Sequence, residues 1–223
     1  MAILGPLILT AACQDNHQSP GQKTMSKSSS SAISDLPDPR LQGARSLEEI
    51  LAARRSLREF ADEPLTDIEI SQLLWATQGV TDPAGLRAAP SAGALYPLEV
   101  YVARSSGLYH FQPARHELTR LNDKDLRQAI HGAALAQDSL AEAPVVFVIT
   151  AVYARTQAKY GARAERYVHM EAGHAAQNLL LQAAALDLGG VPIGAFNDNR
   201  VSEIVGLPKN EAPLYLIPIG HPR

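Results

Sequence analysis

The sequence predicts an α+β domain, a central mixed or antiparallel sheet packed around one long core helix. Three observations carry this expectation. "PVVFVITAV" (144–152) is a continuous apolar run of the kind found in a strand buried on both faces. "PLEVYVAR" and "GLYHFQP" meet at the turn "SSG" and read as an antiparallel pair. "RYVHMEAGHAAQNLLLQAAALDLGG" (166–190) is the longest helical pattern. Its Ala172, Ala175, Ala176, Leu179, Leu180 and Ala183 form a face of small side chains that lets a neighbouring backbone come close.

At the N-terminus, residues 1–13 are an apolar run that closes on "LTAAC". They resemble a bacterial lipoprotein signal with Cys13 as the lipidated residue, and the run is too short to span a bilayer. Residues 14–40 are rich in Ser, Gln, Pro and Lys and predict a flexible tether. The folded domain is then expected over 41–223. A processed signal would place the protein in the periplasm or cell envelope, with the lipid at Cys13 as its membrane contact; an unprocessed one would leave it cytoplasmic.

"SLEEILAA" predicts the first helix, because Ser46 and Glu49 form a capping box and Leu47, Ile50 and Leu51 share a face. "RRSLREF" (54–60) follows and should be extended toward the turn at "DEP", so that Arg54, Ser56 and Arg58 line one side and Arg55 the other. Two guanidinium forks flanking a hydroxyl suit a phosphate. The alternative is a cluster of solvated cations at the negative end of the helix. "LTDIEISQLLWATQGV" predicts a second helix, capped by Thr66 with Glu69 and stopped at Gly79. "DKDLRQAIHGAALAQDSLAEA" is helical with a break near Asp138, "DNRVSEIVGL" is a short helix, and "APLYLIPIG" is a closing strand.

With 223 residues, 46% of them hydrophobic, the chain can bury a substantial core in one domain. A net charge of -3 with no basic cluster beyond 54–58 argues against a nucleic-acid surface. One cysteine excludes an internal disulfide. The chain has no G-x-G-x-x-G after a strand, no phosphate-loop motif, no H-E-x-x-H and no G-x-S-x-G. His169 and His174 are five apart, on different helical faces, which disfavours them as metal ligands.

Two loops combine small residues with apolar surface. "APSAGALYP" holds Ser91, Ala92, Gly93 and Ala94 between two prolines, and "LGGVPIGAF" sets Gly189, Gly190, Gly194 and Ala195 around Pro192. Such loops expose backbone groups to a flat ligand. A flat ligand with polar edges and a phosphate tail would use both loops and the arginines together, and flavin mononucleotide (FMN) fits that description.

Four pieces in order, "RRSLREF", "APSAGALYPLEVYV", "YVHMEAGHAAQNLLLQAAALDLGGVPIGAF" and "PLYLIPIGHP", resemble the nitroreductase family, in particular its thiazole/oxazole oxidase-type (SagB-like) dehydrogenase branch. The resemblance implies a nitroreductase-like α+β homodimer holding FMN at the subunit interface. It matches Arg54, Ser56 and Arg58 to phosphate and ribityl contacts. It matches Pro90, Ser91, Gly93, Ala94 and Leu95 to a loop laid along the flavin from the partner subunit. Pro192, Ile193, Gly194 and Ala195 match the loop beside the ring system, where many relatives carry an acidic residue at the Gly194 position. Arg223 is the candidate for a further phosphate cation. The resemblance implies an FMN-dependent oxidoreductase in which NAD(P)H delivers a hydride and leaves before a small conjugated acceptor, nitroaromatic or quinone-like, takes its place. The flavin itself carries the redox chemistry, and no protein side chain is expected to be catalytic. Two alternatives stay open, an azoline dehydrogenase of peptide modification and a non-catalytic flavin-binding protein.

Overall fold

The computed structural model describes residues 33–223, together with Met1 and Ala2. The expected signal segment with Cys13, and the tether up to residue 32, lie outside the described residues. The chain divides into two units, Met1–Ser30 and Ser31–Arg223, and all the described strands and helices belong to the second.

Seven strands form one sheet: β1 (Ile33–Asp35), β2 (Leu98–Arg104), β3 (Gly107–Gln112), β4 (Glu117–Asn122), β5 (Val145–Ala151), β6 (Gly189–Gly190) and β7 (Ala212–Gly220). Their order is β1-β4-β3-β2-β5-β7-β6, and every strand pair is antiparallel. The helices are α1 (Leu47–Ala53), α2 (Asp67–Gln78), α3 (Arg127–Ala133), α4 (Asp138–Glu142), α5 (Tyr153–Tyr160), α6 (Ala164–Ala185) and α7 (Asp198–Val205).

The apolar run that predicted a buried strand is β5, and all seven of its residues are buried. Successive side chains on a strand point to opposite faces, which divides the run between two cores. Val145, Phe147, Ile149 and Ala151 join the core built with α2 and α6; Val146 and Val148 join the one built with α3, α4 and α7. The sheet is therefore covered on both sides, which explains why β5 shows no polar alternation.

Both capping boxes form as the sequence predicts, Ser46 with Glu49 and Thr66 with Glu69. The helical stretch 123–143 breaks at residues 134–137, where Leu135 and Ala136 take positive φ angles of 56° and 52°. The fold begins earlier than the expected start at Leu41. Strand β1 pairs with β4, Leu36 enters the core, and the Arg40 amide donates to Gln72 Oε1 at 2.8 Å, so 33–40 is not tether. A strand so short and polar, "ISD", is made by its partner and not by its own pattern. The small-residue face of α6 is also spent within the chain: Ala172, Ala175, Ala176, Leu179, Leu180 and Ala183 are all at most 5% exposed in the core shared with α2 and the sheet. It is not a free surface for a second copy.

Candidate functional site

Arg54 caps the end of α1 with φ -55° and ψ 123°, which turns the chain into an extended path. That path runs along β6. Ser56 forms a parallel bridge with Gly190, the Leu57 amide donates to the Gly190 carbonyl at 3.0 Å, and the Ala61 amide donates to the His221 carbonyl at 2.9 Å. Gly189 is needed for this approach, because a Cβ there would lie 2.5 Å from Leu57 Cδ2, while Gly190 is needed for the pairing with β7, where a Cβ would lie 2.5 Å from the Pro218 carbonyl oxygen. Leu57 packs inward over Gly189, leaving Ser56 and Arg58 exposed on the other side. Arg55 is turned back on its own chain and donates to the carbonyls of Ala52 and Arg54 at 2.9 and 2.7 Å. Among the described residues, the side chains of Arg54, Ser56 and Arg58 make no hydrogen bond or ion pair with protein.

Strand β6 leads directly into the second predicted loop. Val191 and Ile193 are buried, and Ile193 exchanges backbone hydrogen bonds with Leu216, so the strand is pinned while Pro192, Gly194 and Ala195 face outward. A Cβ on Gly194 would meet nothing within 4 Å. Gln137 donates to the Ala195 carbonyl at 3.0 Å and also lines a cavity of about 560 Å³ with Arg58 and Arg223. Glu59, Asp138 and Glu142 share that cavity, and Arg223 lies 3.4 Å from Glu142.

The first predicted loop is elsewhere, against α5 and α6. Its single 3-10 turn, Ala92–Ala94, is strained: Gly93, Ala94 and Tyr96 have φ angles of 64°, 53° and 47°. Left-handed backbone at a non-glycine residue costs about 1 kcal/mol or more. Tyr96 is correspondingly braced. Its amide donates to Ser91 Oγ at 2.9 Å, its carbonyl accepts from Arg155 at 2.9 Å, and its hydroxyl accepts from the Arg87 amide at 3.0 Å. The Arg87 guanidinium lies 4.5 Å from its ring centroid and donates to Gln78 Oε1 at 2.9 Å. Arg155 in turn is paired with Glu99. Burial works against the Glu99 charge, but hydrogen bonds from His110 and Arg155 outweigh it and hold that carboxyl below its usual range.

Within one chain, then, Arg58 and Arg223 and the Pro192–Ala195 loop are neighbours, whereas Pro90, Ser91, Gly93, Ala94 and Leu95 belong to a separate surface. Pro90, Ser91 and Ala92 line a cavity of about 250 Å³ with Tyr167, Met170, Glu171 and His174. Sequence reasoning missed the bracing residues Arg87, Tyr96 and Arg155 and the buried Glu171. Only Glu171 carried a signal: it sits in register with Val168, Ala172 and Ala175 on the buried face of α6, where a carboxylate has no ordinary reason to be.

A family model described as the nitroreductase family matches residues 51–221. A Methanocaldococcus jannaschii protein, itself provisionally assigned as a nitroreductase, is 47% identical over 180 residues, which is 78% of this chain and 90% of that protein. Two more distant relatives are the oxygen-insensitive NADPH nitroreductase of Salmonella typhimurium, 26% identical over 78% of this chain and 65% of that one, and the microcin B17-processing protein McbC of Escherichia coli, 28% identical over 65% and 58%. A crystal structure of a Ralstonia eutropha protein, also provisionally assigned as a nitroreductase, superposes with a TM-score of 0.79 at 34% identity, covering 86% of this chain and 90% of that one. The chain belongs to the nitroreductase family of oxidoreductases.

Proposed function

We propose that this protein is an FMN-dependent oxidoreductase that passes electrons from NAD(P)H to small conjugated acceptors such as nitroaromatics or quinones. The observation that carries the reading is the set of donors on Arg54, Ser56 and Arg58, none with a protein partner among the described residues, set beside the outward backbone of Pro192, Gly194 and Ala195. The residues fit the group. Two guanidinium forks and a hydroxyl suit a phosphate, and the open space at Gly194 admits a flat ring where a side chain would otherwise stand.

In this reading Arg54 and Arg58 bind the phosphate and Ser56 donates its hydroxyl proton to it. Buried Val191 and Ile193 hold the loop rigid, so that Gly194 and Ala195 present backbone groups to the ring edge. Arg223 joins the phosphate contacts once its pair with Glu142 opens. Bound FMN would supply two-electron chemistry that no side chain here offers. Donor and acceptor would use one open face in turn, which suits a chain without a dinucleotide-binding motif.

The Ser91–Leu95 loop completes the site from a second copy of the chain, since within one chain it faces a different cavity from Arg58 and Arg223. A lipid anchor at Cys13 would hold the pair at a membrane. The match to the microcin-processing protein supports a second reading, azoline oxidation in a peptide. The deciding experiment is the absorbance spectrum of the purified protein, followed by two assays: NAD(P)H oxidation with menadione or nitrofurazone as acceptor, and oxidation of a thiazoline peptide to the thiazole without NAD(P)H, with dioxygen taking the electrons. Colourless protein that FMN cannot load would overturn the leading reading, and turnover with the peptide alone would replace it with the second.

A further inference from the structure

Glu171 is the one buried carboxyl on α6 to which the flavin reading gives no task. It is 3% exposed, and its Oε1 has no hydrogen-bond partner. It lines the 250 Å³ cavity with Ser91, and Ser91 Oγ is the acceptor that holds the Tyr96 amide. We propose that Glu171 is a positioning residue that acts through Ser91, tightening the strained 91–96 turn when its carboxyl is charged and loosening it when protonated. For the enzyme, this rests on the reading that the turn forms part of the flavin site.

The reasoning follows from donors and acceptors. Ser91 has one O–H to give and already accepts from Tyr96. A carboxylate only accepts, so it draws the Ser91 proton and makes Ser91 Oγ a stronger acceptor for the Tyr96 amide. A protonated carboxyl brings its own O–H and competes with that amide for the same oxygen. Left-handed Ala94 and Tyr96 persist only while such braces hold. The groups facing Glu171 are Ser91 and Arg87 from the loop side and Tyr167 and His174 from α6, with Lys159 and Tyr160 of α5 against Gly93. Burial pushes the carboxyl up to about 7, while the Ser91 hydroxyl and the Arg87 guanidinium act the other way, which places the transition near neutral pH.

Hydrogen exchange of the Tyr96 amide tests this on the full chain without added flavin, from pH 5.5 to 8.5 and corrected for intrinsic exchange. Protection should rise roughly fivefold with a midpoint near 7, the size expected for one strengthened hydrogen bond. The rise should vanish in Glu171→Gln and survive in His174→Asn. A flat wild-type profile, the same rise in Glu171→Gln, or its loss in His174→Asn would overturn the proposal. If Glu171→Gln does not fold, Glu171→Asp takes its place, and a midpoint that stays where it was overturns the proposal equally. FMN titration of the same samples separates the two claims. FMN should bind the wild type several-fold more tightly at pH 8 than at pH 6 and Glu171→Gln equally at both. A chain that binds no FMN yet keeps the Tyr96 transition sinks the flavin reading and leaves Glu171 in its role.

Discussion

Among the described residues, the side-chain donors of Arg54, Ser56 and Arg58 are bare, whereas around Tyr96 the amide, carbonyl, hydroxyl and ring each have a partner. The first region sits on regular extended backbone beside β6, and the second bends through three left-handed residues. The difference separates two ways of building a site. A charged ligand needs donors that the protein leaves unspent, and these can stand on unstrained backbone. A shaped surface needs an unusual backbone path, and that path needs braces.

The largest expected effect tests the regular half. Gly190→Ala drives a methyl into the Pro218 carbonyl and Ile219, while Gly194→Ala, four residues on, meets nothing. Thermal unfolding should show Gly190→Ala losing about 3 kcal/mol, or roughly 9 °C in Tm. Equal tolerance at both glycines would mean that β6 is not packed against Pro218 and Ile219 of β7 as described.

Next come the bare donors. Arg54→Ala or Arg58→Ala should weaken FMN binding by roughly tenfold to a hundredfold, the loss of about 1.5 to 3 kcal/mol expected for a charge-assisted contact. Arg55→Ala, whose guanidinium is occupied by Ala52 and Arg54, should do little. Riboflavin lacks the phosphate and should bind wild type and Arg58→Ala alike. Isothermal titration on the flavin-free protein gives all these affinities, and equal damage to both flavins would return the arginines to a merely structural role.

The braced half predicts a pH dependence of stability. Glu171 has its folded pKa raised to about 7 from an ordinary value near 4.5. Between these two pH values the unfolded chain is ionised there and the folded chain is not, so folding takes up a proton and wild-type stability falls as pH rises. Glu171→Gln removes that term. Its Tm relative to wild type should therefore climb from pH 5 to pH 8, by about 2 kcal/mol or roughly 6 °C. A difference that stays constant with pH would show the carboxyl is not held neutral by burial.

The smallest effect sharpens the claim of strain. Ala94→Gly relieves a left-handed residue but adds freedom to the unfolded chain, and the two terms, each about 1 kcal/mol, oppose. Urea denaturation should show a net change within roughly 0.5 kcal/mol. A large loss would mean the alanine methyl is itself one of the braces.

What the sequence determined by itself was whatever local chemistry enforces. Ser46 with Glu49 and Thr66 with Glu69 cap their helices from within four residues, and the apolar content of 145–151 leaves burial on both faces as its stable outcome. The exposure of Ser56 and Arg58 on the side opposite Leu57 could be read for the same reason, since an extended path alternates its side chains. Tertiary structure decided what depends on partners distant in the chain. Strand β1 exists because β4 offers an edge, α6 spends its small face on α2 and the sheet, and Arg223 finds Glu142 across the cavity. Tyr96 and Glu171 belong with these. A left-handed tyrosine and a buried carboxyl are unfavourable on local grounds, and only the packing of the 87–97 connection against α5 and α6 makes them stable where they stand.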